Sequence, residues 1–234
     1  MSDDCSVFIN AGAVVLLSAD MLEQEKCDVM NSVLFAQLVA SKKYPALSSP
    51  DEWYGAYREV LQNGWLQKAV TWDNFTLDTP SKYTMMSWVE KRLGAYVGQT
   101  KVTEFTRLLN RVAQLPCSLP AIEELREWVQ GPKSPELSCR VRLQVILAQR
   151  GPVLNVVCLE FDTRHSTANP LGPLFSTDPI PGTIQLRCFQ ANLSDALYAP
   201  VRDAIIKKLG DKAARNIFDI SDAVEHGVTG AVSL

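Results

Sequence analysis

The prevailing spacing of apolar residues changes along this chain, and that change limits what the chain can fold into. Over most of residues 20–131 apolar positions recur every three or four residues; from Cys139 through the next two strands they alternate. A period near 3.6 marks one face of a helix, and a period of two marks one face of a strand. The expected class is therefore α+β: a helical N-terminal half packed with a small antiparallel, hairpin-based sheet and a C-terminal helix. Residues 1–234 are expected to form a single compact domain. The Pro- and Ser-bearing stretch 131–138 offers a subdivision into a mostly helical 1–131 and a 132–234 unit with the sheet and last helix.

The individual elements follow from local signals. The apolar run Ser6 to Ala19 reads as an early strand or buried segment, because the acidic residues before it do not suit a signal peptide. Residues 20–44 form a helix with Lys42 and Lys43 in its last turn and Pro45 beyond it. A second helix spans about 50–62, with Ser49 as cap, Pro50 at its first position and Asn63-Gly64 as its stop. Alternation at Val70, Trp72, Phe75 and Leu77 suggests an extended segment over 66–78. Amphipathic helices follow over 79–98, 100–115 and 118–131, with Thr79 and Thr100 as the caps of the first two. Strands are expected at 139–151 and 153–165 as a hairpin, and at 182–193. A proline-rich loop covers 166–181, a helix with Pro200 inside it covers 195–210, and a short helix and tail complete the chain.

Composition excludes several classes. The net charge is −3, which lacks the basic footprint of a general nucleic-acid binder. No stretch is long and apolar enough for a transmembrane helix. The six cysteines, at 5, 27, 117, 139, 158 and 188, include no C-x-x-C pair, so neither a zinc knuckle nor a dithiol redox motif is expected. Their wide spacing suits a reduced, cytoplasmic chain, with export without a signal peptide left open. No G-x-S-x-G, H-E-x-x-H, P-loop or dinucleotide fingerprint occurs. No cofactor or metal is expected.

A few residues retain chemical interest. Glu160, Asp162 and His165 fall within six residues, and the two carboxylates share a strand face, suited to a cation or to acid–base work. The plainer expectation is that they are the solvent face of an antiparallel strand. Cys158 and Cys188 sit in apolar strands, with Cys158 on the Glu160 side by alternation. Arg140, Arg142 and Arg150 offer a basic face that suits an anion or simply solvates a sheet edge. On the second helix Trp53, Tyr57 and Leu61 form one buried stripe; Tyr54 and Trp65 lie off it and are the aromatics expected to face a ligand.

Two segments, Leu34 to Leu66 and Leu197 to Ile217, together resemble bacterial virulence factors of the Evf type and related uncharacterised bacterial proteins. The resemblance implies a soluble protein without an obvious active site, a host-interaction role and a cysteine-linked fatty acyl chain, for which Cys158 and Cys188 are the candidates. The expected function is accordingly a soluble, non-enzymatic binding protein with an unknown protein or lipid partner. Association with a membrane surface would then depend on acylation. The alternative is an enzyme with an atypical site at a strand cysteine or at Glu160 and Asp162.

Overall fold

Seven strands form one mixed sheet in the order β3-β6-β5-β4-β2-β1-β7, with helices on both faces. The computed structural model describes residues 5–45, 49–77, 83–131, 139–163 and 169–227. In chain order the elements are β1 (Ser6–Asn10), β2 (Ala13–Leu17), α1 (Glu23–Lys43), α2 (Pro50–Leu61), β3 (Trp65–Leu77), α3 (Met85–Val97), α4 (Gln99–Gln114) and α5 (Pro120–Val129). They continue with β4 (Cys139–Gln149), β5 (Val153–Thr163), α6 (Gly172–Phe175), β6 (Ile180–Leu193), α7 (Asp195–Leu209), α8 (Lys212–Asn216), β7 (Ile217–Asp219) and α9 (Ser221–His226). The α+β class holds. The sheet is wider than the hairpin-based one expected, because β1 and β2 join it and β2 pairs in parallel with β4. That pairing links strands on either side of the 131–138 stretch.

Alternation in the central strands serves two cores. Val141, Leu143, Val145 and Leu147 of β4 point toward α3, α4 and α5 together with Val157, Leu159 and Leu186. The opposite face, with Ile146, Val156 and Phe189, points toward α1 and α2. Sequence alternation alone suggests one wet face, and the structure corrects this: β4 carries the unbroken run Val145–Ala148, and strands buried on both faces read as such runs.

Side chains fix how the covering helices sit. Gln37 of α1 accepts from the Gly12 N–H at 2.9 Å and donates to the Asn10 carbonyl at 2.9 Å, clamping the β1–β2 turn. Asp28 of α1 takes a bidentate pair from Arg202 of α7, at 2.9 and 2.7 Å. Pro200 stands within α7, not at its start. α3 is capped by Thr84, whose hydroxyl accepts from the Ser87 N–H at 3.3 Å, while the Thr79 cap lies outside the described residues. α4 begins at Gln99 after Gly98, so Thr100 is not its cap. The 166–181 stretch carries α6, and Asn169 is anchored by donating to the Val112 and Leu115 carbonyls at 2.8 and 3.2 Å. Residues 164–168 are outside the described residues.

The turn between α2 and β3 is the tightest seam. A Cβ on Gly64 would lie 2.5 Å from Cδ2 of Tyr198, and the Gly64 carbonyl accepts from the Ser194 N–H at 2.9 Å. Gly64→Ala is therefore expected to push α7 off this turn and to lower stability by about 1–3 kcal/mol, the range for overpacking a dense site. Urea denaturation checks it, and a loss below about 0.5 kcal/mol would show that Tyr198 can yield.

Candidate functional site: a buried ion layer under α2

Strand register assembles the site. Gln144, Cys158, Arg187 and Trp72 lie opposite one another across β4, β5, β6 and β3. The neighbouring row is Arg142, Glu160, Gln185 and Asn74. Both rows sit on the face covered by α2, whose Trp53, Tyr54 and Tyr57 are buried against them.

Within this layer Glu160 is flanked by two guanidinium groups. Arg142 Nε donates to Oε1 at 2.7 Å and Arg187 Nη1 donates to Oε2 at 3.0 Å. The three residues are 6%, 4% and 2% exposed for Arg142, Glu160 and Arg187. Arg187 also donates to Gln185 and to Asp51 at the N-terminal end of α2. The four charges sum to zero, with two arginines against Glu160 and Asp51. Aromatic rings line the cations: the Arg142 guanidinium lies 4.6 Å from the Trp53 ring centre, and that of Arg187 lies 5.2 and 5.4 Å from those of Trp72 and Tyr54. Trp53 in turn stacks on Tyr57 at 5.4 Å.

Several polar atoms in the layer have no hydrogen-bond partner among the described residues. They are Arg142 Nη2, Arg187 Nε, both amide atoms of Gln144, and the hydroxyls of Tyr54 and Tyr57, the Tyr57 hydroxyl and the Gln144 amide lying near each other. Buried polar groups are nearly always bonded, so this layer, like the smaller group of Thr71, Asp73 and Arg92 on the other face, differs from ordinary core.

Cys158 is fully buried between these rows. Burial pushes its thiol up to about 12, with the nearby Glu160 carboxylate adding to the effect. Cys188 lies on the other sheet face, and burial pushes its thiol up to about 12 as well. Both are therefore protonated at neutral pH, where a nucleophilic cysteine needs the thiolate.

The remaining candidates separate. Asp162 forms a bidentate pair with Arg140 at 3.0 Å, toward solvent, while Glu160 is buried; the solvent-face expectation fails for Glu160 because α2 covers that end of β5. His165 lies outside the described residues. No group of three or more metal-ligating side chains occurs among the described residues. Arg142 is buried and Arg150 is exposed beside the β4–β5 turn, so the three arginines do not make one basic face. Tyr54 and Trp65 are each 1% exposed: Tyr54 packs against Phe189 and Trp72, and Trp65 donates to the Ser32 hydroxyl at 3.0 Å. Neither faces solvent, because α2 and β3 are covered from two directions rather than along one stripe. Beside Trp65 a cavity of about 20 Å³, between Ser32, Leu61, Gly64 and Tyr198, has room for about one water. The aromatic missed by sequence reasoning is Trp72, 57% exposed at the rim of the layer. The alternation of Val70 and Trp72 held that signal, but a strand edge cannot be told from a centre by spacing.

Two expectations follow. Glu160→Gln leaves two buried cations without their shared anion and should cost about 3–5 kcal/mol in urea titration, whereas replacing Arg142, Glu160 and Arg187 together by apolar residues should cost less. Alkaline stability is the second. Between about pH 9 and pH 12 the unfolded chain has lost the Cys158 proton and the folded chain still holds it. The unfolded state then binds fewer protons, so stability falls as pH rises, by up to about 1.4 kcal/mol per unit for this group. The contribution is complete below pH 9, and Cys158→Ala should flatten the slope.

No protein-family model matches this chain, and no curated protein matches it. Among solved structures it is similar to one titled "Structure of the Evf virulence factor", with 9% identity and a TM-score of 0.36 over 95% of this chain and 87% of that one. Likeness at that level carries no argument about fold or function. Among the described residues no helix is long and apolar enough to cross a membrane.

Proposed function

We propose that this protein works by binding rather than by turnover, and that its binding feature is an acyl group attached at Cys158 beneath α2. The observation that supports the reading is the group of donors on the Cys158 face: Arg142 Nη2, which has no partner among the described residues, and the Gln144 amide and Tyr57 hydroxyl, which lie near each other without a hydrogen bond between them. A thioester carbonyl brings an acceptor oxygen to such donors, which a free thiol does not. Cys188, on the opposite face, has Thr71 Oγ1, Asp73 Oδ2 and Arg92 Nε beside it without partners among the described residues, and is the second candidate.

Attachment is a thioester exchange. The Cys158 sulfur attacks the carbonyl carbon of an acyl thioester donor, the new S–C bond forms, and the donor's thiolate leaves and takes up the proton that Cys158 gave up. α2 must be undocked for this to occur. Trp53, Tyr54, Tyr57 and Leu61 are all buried, and at about 1.5–3 kcal/mol each they hold α2 with roughly 6–12 kcal/mol, comparable to the stability of a whole domain. Acylation therefore precedes the closing of α2 during folding.

The enzyme alternative finds less support. Both Glu160 oxygens are bonded to guanidinium groups, and the Cys158 and Cys188 thiols are held protonated. A host-interaction role, implied by the sequence resemblance, belongs to the same proposal. Intact mass spectrometry of protein purified from its native host is the test. The expected result is a mass above that of the bare chain, lost on treatment with neutral hydroxylamine and absent in Cys158→Ser but kept in Cys188→Ser. A mass equal to the bare chain overturns the reading.

A further inference from the structure

We propose that the outer edge of β3 is the seam of a symmetric dimer, in which two copies of this chain join antiparallel about a two-fold axis at Trp72. β3 is thirteen residues long and ends the sheet, and no described strand pairs with its outer edge. An open edge of that length is a template for another strand. Val70 and Trp72 are 38% and 57% exposed, and both lie on the α2 side, opposite Phe189 and Arg187 of β6.

The strand itself selects the partner and the register. Its pairing with β6 is irregular between Lys68 and Val70, where Ala69 has φ 23°, and again between Phe75 and Leu77. The regular edge between those breaks is residues 70–75. In a two-fold antiparallel pair, facing residues share a sheet face, so the numbers of each pair sum to an even constant. Centring on Thr71 would set the Ala69 irregularity against Asp73. Centring on Asp73 would set two carboxylates face to face, which is destabilising. Centring on Trp72 pairs Val70 with Asn74 and Thr71 with Asp73, and lays the two Trp72 rings together across the axis. That gives five regular positions, 70–74, before Ala69 meets Phe75, against three for a centre at Thr71, with no like charges opposed, and the exposed aromatic gains its cover from its own copy. This independent inference does not rest on the acyl reading.

The full-length protein at tens of micromolar should give a light-scattering mass of twice 25.9 kDa. Trp72→Lys should raise the dimer Kd by about thirtyfold or more, as loss of a tryptophan from an interface centre does, with an unchanged circular dichroism spectrum. In a background lacking the exposed thiols (Cys27→Ser, Cys117→Ser), Trp72→Cys should form an intermolecular disulfide under copper–phenanthroline oxidation. A monomeric wild-type protein overturns the proposal. So does a dimer that Trp72→Lys leaves intact, or one in which Trp72→Cys does not cross-link.

Discussion

The position of Glu160 between Arg142 and Arg187 is the constraint around which the α2 side of the sheet is arranged. A carboxylate and two guanidiniums out of water are costly, and the cost is offset only while the hydrogen bonds and the lining rings stay in place. Register supplies the hydrogen bonds, since Arg142 and Glu160 are cross-strand partners. α2 supplies the rings, through Trp53 over Arg142 and Tyr54 over Arg187. Asp51 closes the charge balance from the same helix. Strand pairing and helix docking thus depend on each other, and Cys158 is enclosed by both.

The opposite end of α2 is fixed by close packing, with one ion pair holding the helix that packs on it. Gly64 admits the Tyr198 ring, Trp65 reaches Ser32, and Arg202 ties α7 to Asp28. The helix is pinned at its first turn by an ion pair and at its last by a packed turn. That leaves little freedom for α2 to act as a lid over Cys158.

Most elements were legible in the sequence, because α1, α2, α4, α5, β4, β5 and α7 carry clear period or cap signals. β7 was not, being three residues long with no alternation to read. The width of the sheet was not legible either, since no spacing rule says that the Ser6–Leu17 segments pair with strands more than a hundred residues later. At the site, alternation placed Cys158 and Glu160 on one face of their strand, and the β4–β5 register added Arg142 to it. It could not show that the face is covered, because burial of charge is decided by which helix lands there. The same gap turned Tyr54 and Trp65 from expected ligand-facing rings into core, and hid Trp72 at the rim.

The central claim is that α2 seals Cys158 under a buried ion layer, and thiol labelling under native conditions tests it most directly. Cys27 and Cys117 are exposed and should react at once with an aromatic disulfide reagent. In bare chain that carries no acyl group, Cys158 should react only through global unfolding, with a protection free energy equal to the stability from urea titration. Labelling of Cys158 at a rate near that of Cys27 would contradict the account.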